Sequence, residues 1–136
     1  MKDLKAFFGF ITAFLILDAA WIGLVALDLY REQISSIMLD SPRMGFAALF
    51  YVAYAGAVVL LAIKHSQSQS AVLLNGSILG VIAYGTYTVT NYSMLSAWTL
   101  TLVVTDILWG GFVTATCALA GYYASRYKPD HTTRAN

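Results

Sequence analysis

The sequence predicts an all-α membrane protein: a four transmembrane helix bundle with an amphipathic segment between helices 1 and 2. Three observations predict it. Hydrophobic residues make up 59% of the 136 residues and charged residues only 11%, against roughly 25% charged in a soluble domain. Four apolar segments recur along the chain, each near the ~20 residues that cross a hydrocarbon core of ~30 Å. Those segments must be helices, because unpaired backbone groups are too costly in lipid for open strands and four segments cannot close a barrel. A soluble domain of this length could not hide so much apolar surface, and the length prior gives a single domain over residues 1–136.

Helix 1 is expected over about Ala6–Leu27. The start, Met1-Lys2-Asp3-Leu4-Lys5, resembles a signal peptide. The apolar run behind it is too long for one and contains Asp18, so it reads as an uncleaved helix. From Asp28 to Asp40, the apolar residues Tyr30, Ile34, Ile37 and Met38 recur at helical spacing opposite charged ones. That pattern is an amphipathic helix, either continuing helix 1 or lying at the interface. Ser41-Pro42 then looks like an N-cap followed by proline at the first helical position. Helix 2, about Met44–Ile63, carries no charge, and a polar link, Lys64 to Ser70, leads into helix 3, about Ala71–Thr90. A tight link is expected around Asn91-Tyr92-Ser93, then helix 4 over about Leu95–Ala120. Residues 126–136 form a polar tail, expected to fray.

Basic residues orient the bundle. With the N-terminus inside, Lys2, Lys5, Lys64, Arg126, Lys128 and Arg134 lie on the cytoplasmic side, and only Arg31 and Arg43 lie outside. This asymmetry fits the positive-inside rule and a multi-pass protein of a bacterial inner membrane with both termini cytoplasmic. Tyr30, Tyr92, Trp98, Tyr122, Tyr123 and Tyr127 fall near the expected interfaces, as an aromatic belt would.

Several chemistries have no support in the residues. A single cysteine, Cys117, allows neither an intrachain disulfide nor a cysteine ligand cluster. The two histidines, His65 and His131, sit in polar segments away from the apolar spans, so no haem, metal or other cofactor is expected in the membrane. No nucleophilic triad, phosphate loop, HExxH or CxxC arrangement occurs, which argues against hydrolase, kinase or metalloprotease activity. The net charge of +1 does not suggest a nucleic-acid partner.

Two carboxylates remain within the apolar spans. Each opens the pattern Asp-x-x-Trp-x-Gly: Asp18-Ala19-Ala20-Trp21-Ile22-Gly23 and Asp106-Ile107-Leu108-Trp109-Gly110-Gly111. Asp18 precedes Asp28 by ten residues and Asp106 follows Ser96 by ten, so antiparallel helices place both at similar depth, about 15 Å below the outer surface. A carboxylate there costs roughly 2.5–3.5 kcal/mol on insertion scales and must face the bundle interior. It serves either as a protonation switch or anchor for a cationic or hydroxyl-bearing ligand, or as an interhelical hydrogen-bonding contact. In helix 3, Tyr84, Tyr87, Thr88 and Asn91 recur at i, i+3, i+4 and i+7, one polar stripe that is either the wall of a cavity or a seam to helix 4. Gly76 and Gly80 have the spacing that lets two helices approach closely, and Gly110 and Gly111 are further candidates for helix packing.

Several stretches resemble a known family: Leu17-Asp18-Ala19-Ala20-Trp21-Ile22-Gly23, the run Gly80 to Asn91, Ala97-Trp98 and Asp106-Ile107-Leu108-Trp109-Gly110. The segments Phe50 to Gly56 and Ala120-Gly121-Tyr122 match as well. The chain is similar to the small predicted bacterial membrane proteins catalogued as domain of unknown function twenty-one seventy-seven. The resemblance implies a four-helix membrane protein and no established activity. The family usually carries Asp where Thr88 stands and Trp-Pro where Trp98-Thr99 stands, which leaves Asp18 and Asp106 as the two intramembrane acids. The first expectation is a small binding or accessory protein with a polar intramembrane site for a lipid-like ligand or partner helix. The others are a proton-coupled exporter acting as a homodimer and a lipid-modifying enzyme. Expected partners are membrane lipids, a second copy of the chain or a larger membrane complex.

Overall fold

The computed structural model describes residues 1–127; the expected tail from Lys128 onward, with His131 and Arg134, lies outside the described residues. Four helices are long and apolar enough to cross a membrane: α1 (Lys2–Ile37), α2 (Met44–Ile63), α3 (Gln69–Met94) and α4 (Leu100–Arg126).

α1 is one continuous rod of 36 residues, about 54 Å at the usual rise and so far longer than the hydrocarbon core. Its buried positions Ala6, Phe10, Phe14 and Asp18 fall every four residues. Because four residues overshoot a turn of 3.6, this stripe winds around the helix. A π-helical turn at Ile22–Ala26 follows, whose wider i→i+5 closure accommodates the overshoot. The stripe then continues in Ala26 and Ile34. The segment from Asp28 onward is therefore an extension of α1, ending in a 3-10 turn at Ser35–Ile37. It does not lie free on the interface, because its apolar face packs against Trp98, just before α4, and against Leu102 and Val103 at the start of α4.

α4 is the central helix, packed along its length against α3 on one side and α1 on the other. Small residues set the α3–α4 distance. A Cβ on Gly76 would stand 2.9 Å from the Cα of Ala115, one on Gly80 would collide with the Gly110 carbonyl, and one on Gly110 would collide with the Tyr84 ring. Gly111, also buried, gives room to the Val81 side chain. α2 closes the fourth side only near its end, where Val58, Val59, Ala62 and Ile63 are buried. Its first half stands away from α3 and α4, with Met44, Phe46, Leu49 and Phe50 exposed. The main core, built on Phe10, Phe14, Val58, Val72, Val113 and Cys117, thus fills the half of the bundle nearer the N-terminus.

At that end the Lys5 ammonium donates to the Tyr127 carbonyl at 3.1 Å, and Lys64 pairs with Asp3 at 3.3 Å. Both contacts are exposed and contribute little stability.

Three boundaries differ from the sequence reading. Ser41 does not cap α2, whose N-cap is Arg43 without a side-chain bond; Pro42 belongs to the preceding non-helical link. Asn91, Tyr92 and Ser93 are not a link but the last turn of α3, where Ser93 Oγ donates to the Val89 carbonyl at 2.8 Å. Their polarity reflects a helix end that projects past the apolar core rather than a chain reversal. The link is residues 95–99, and α4 begins behind Thr99, whose hydroxyl accepts from the Leu102 amide at 3.4 Å as a serine-type N-cap does. At its other end α4 continues beyond Ala120 to Arg126, where Arg126 lies over the Tyr122 ring at 4.2 Å and favours the negative end of the helix dipole.

Candidate functional site

Because α2 stands off at its start, a cleft of about 530 Å³ remains between the four helices. α1 contributes Phe14, Asp18, Trp21 and Tyr30 to its wall; α2 contributes Phe50, Tyr51 and Tyr54; α3 contributes Tyr84 and Tyr87; α4 contributes Asp106 and Trp109. The cleft reaches the surface of the bundle at Ile22, Phe50 and Tyr87, all exposed. Asp18 and Asp106 are only 5% and 4% exposed.

The two carboxylates line one cleft but hold separate sets of partners. Tyr51 donates to Asp18 Oδ2 at 2.7 Å, and the Trp109 indole N–H donates to Oδ1 at 3.2 Å. The Trp109 ring is stacked on Trp21, centroids 4.4 Å apart and nearly parallel. The Trp of the second Asp-x-x-Trp repeat thus meets that of the first face to face, and it also holds the first repeat's acid. One turn deeper into the core, the Tyr54 and Thr114 hydroxyls bond at 2.7 Å and link α2 to α4.

Asp106 is held more tightly. The Tyr30 hydroxyl lies 2.7 Å from both of its oxygens, and Thr88 Oγ1 donates to Oδ2 at 3.0 Å. Thr88 in turn accepts from the Trp98 indole at 3.0 Å. A chain of donors therefore runs Trp98, Thr88, Asp106, and a polarised chain of this kind strengthens each link. It joins the α1 extension, α3, the 95–99 link and α4. The Thr99 hydroxyl, bonded to Gln33, adds a further tie between the link and α1.

The polar stripe of α3 is divided between two roles. Thr88 is fully buried in the seam with α4, while Tyr84 and Tyr87 face the cleft. Asn91 is part of neither and stands beyond the cleft in the last turn of α3. Tyr30 and Trp98 are site residues that the sequence did not single out. Tyr51 and Tyr54 were visible as the polar atoms of a charge-free helix. Tyr30 and Trp98 were assigned to an interfacial belt, yet both turn inward. The usable signal for Tyr30 was its place between Ala26 and Ile34 on the four-residue stripe of α1. Among the described residues no three His, Cys, Asp or Glu side chains gather as metal ligands would.

The family described as predicted membrane protein (DUF2177) matches residues 3–123. The chain belongs to that family. The match spans all four helices and every residue of the cleft. No curated protein and no solved structure matches the chain. The family is one of membrane proteins of unknown function, so any activity has to be argued from the cleft.

Proposed function

We propose that this DUF2177 protein is a membrane-embedded binding protein whose cleft takes a lipid-like molecule. The observation that carries the reading is the cleft itself. A volume of about 530 Å³ lies within the range of small-molecule sites, and an apolar wall bearing a few fixed polar groups is how such sites combine affinity with orientation. Its surface openings lie beside exposed apolar residues of α1 and α2, which in a bilayer face acyl chains. The hydrogen-bonded rims around Asp18 and Asp106 hold the wall residues in single positions, which lowers the ordering cost of binding. The lack of any nucleophile-and-base arrangement in the wall favours binding over chemistry.

The same reading places the chain in a bacterial inner membrane with its N-terminus cytoplasmic. Lys2, Lys5, Lys64 and Arg126 crowd the end of the bundle that carries Tyr127, whereas Arg31 and Arg43 lie at the other, in keeping with the positive-inside rule.

Native mass spectrometry of protein released from membranes tests the reading. One or more lipid-like species should copurify in stoichiometric amount and be lost from Ala83→Phe, which fills the cleft wall. Adducts that match bulk lipid composition in both proteins would refute it.

A further inference from the structure

We infer that the occupant of the cleft is a cationic amphiphile, an ammonium or guanidinium head on an apolar body, with the head against Asp18. The inference rests on the reading of the cleft as a binding site.

Charge in the cleft is one-sided. Its wall contains two carboxylates and no Lys, Arg or His. Among the described residues the one ion pair is Lys64 with Asp3, far from the cleft, so neither Asp18 nor Asp106 has a cationic partner. A buried charge is tolerated when it is paired or coordinated, and intramembrane acids mark the paths of ions and ligands when no protein group pairs with them. A ligand cation supplies the missing partner.

The two acids are not equivalent. Asp106 accepts from Tyr30, whose one hydroxyl proton is shared between its oxygens, and from the fully buried Thr88, and it belongs to the seam that joins α1, α3 and α4. Asp18 accepts one bond at each oxygen, from Tyr51 and Trp109, whereas a carboxylate offers about four acceptor positions. It therefore keeps capacity for a ligand donor. The same wall carries Trp21, Tyr51 and Trp109, and aromatic rings attract a cation at their faces and not an anion. An anionic head would meet two acids with no compensating base, and a neutral head would bring no charge to complement them.

Tryptophan fluorescence offers the test, since Trp21 and Trp109 line the cleft while Trp98 does not. The full chain in phosphatidylcholine nanodiscs is titrated with three amphiphiles that share one brominated alkyl chain and carry an ammonium, hydroxyl or sulfonate head. The ammonium probe should quench saturably at a concentration at least tenfold below the hydroxyl probe, with the sulfonate weakest. Asp18→Asn should remove that preference at least fivefold, while Asp28→Asn, exposed and outside the cleft wall, should retain it. Equal quenching by all three heads, or a preference for sulfonate, overturns the cation assignment and leaves the cleft as a binding site. Absence of saturable quenching with any probe overturns both readings. Full preference in Asp18→Asn overturns the placement of the head. The head-group series on the unaltered protein decides the ligand class even if a variant fails to fold.

Discussion

Replacing Thr88 with valine swaps a hydroxyl for a methyl at nearly constant shape, in a position with no solvent exposure. Two bonds disappear: the one Thr88 donates to Asp106 and the one it accepts from Trp98, both at 3.0 Å. Asp106 keeps Tyr30 at 2.7 Å, so its loss is near the ~0.6 kcal/mol average of an interhelical hydrogen bond in a membrane. The Trp98 indole N–H, 8% exposed as a residue, is left without a partner, at a cost of about 1–3 kcal/mol. The sum is about 2 kcal/mol or somewhat more, on the order of thirtyfold in the folding constant. Thr88→Ser keeps both bonds and loses one methyl group, so it should cost only about 1 kcal/mol. Adding Trp98→Phe removes the orphaned donor, and the pair should be non-additive by about 1 kcal/mol. Reversible unfolding by sodium dodecyl sulfate in mixed micelles, followed by circular dichroism, measures the parent, Thr88→Val, Thr88→Ser, Trp98→Phe and the double variant. A valine variant within about 0.5 kcal/mol of the parent, or a serine variant as weak as valine, would refute the donor chain as a source of stability.

Three further outcomes follow from the same geometry. Thr88→Asp sets a second carboxylate against Asp106 at a point already 3.0 Å away, so it should destabilise by more than the uncharged Thr88→Asn in the same unfolding assay. Gly80→Ala drives a Cβ into the Gly110 carbonyl and to 2.7 Å from Thr114 Oγ1, and should cost more than ~2 kcal/mol; Gly56→Ala, with nothing within 4 Å, should be neutral or stabilise by up to ~1 kcal/mol. For topology, a cysteine at Gln67 should be labelled only from the cytoplasm and one at Ser36 only from outside, with the native Cys117 buried and silent; labelling of both from one face would overturn the arrangement.

The four spans were legible because lipid imposes a simple rule that a linear pattern can satisfy: enough consecutive apolar residues must cover the core. α2 shows this best, since its expected bounds, Met44 and Ile63, are those of the structure. Helix ends were less legible. The same rule says nothing about where a helix stops once it has left the hydrocarbon, so Asn91–Ser93 read as a link although it is helical, and Asp28–Ile37 read as a helix without a decision between an extension of helix 1 and a separate interfacial segment.

The composition alone determined that Asp18 and Asp106 must face protein, because exposure of either to acyl chains is too costly. Which groups would meet them was decided only by the tertiary structure. Asp18 finds Tyr51 at a sequence separation of 33 and Trp109 at 91, and Asp106 finds Tyr30 at 76. Such pairings depend on how helices lean and rotate about one another. Here that is set by the glycines of the α3–α4 seam, whose Gly76–Gly80 spacing was legible, and by the π-turn of α1 and the stand-off of α2, which leave no pattern that names their partners. The cleft exists for the same reason: it is the space left where α2 fails to follow its neighbours.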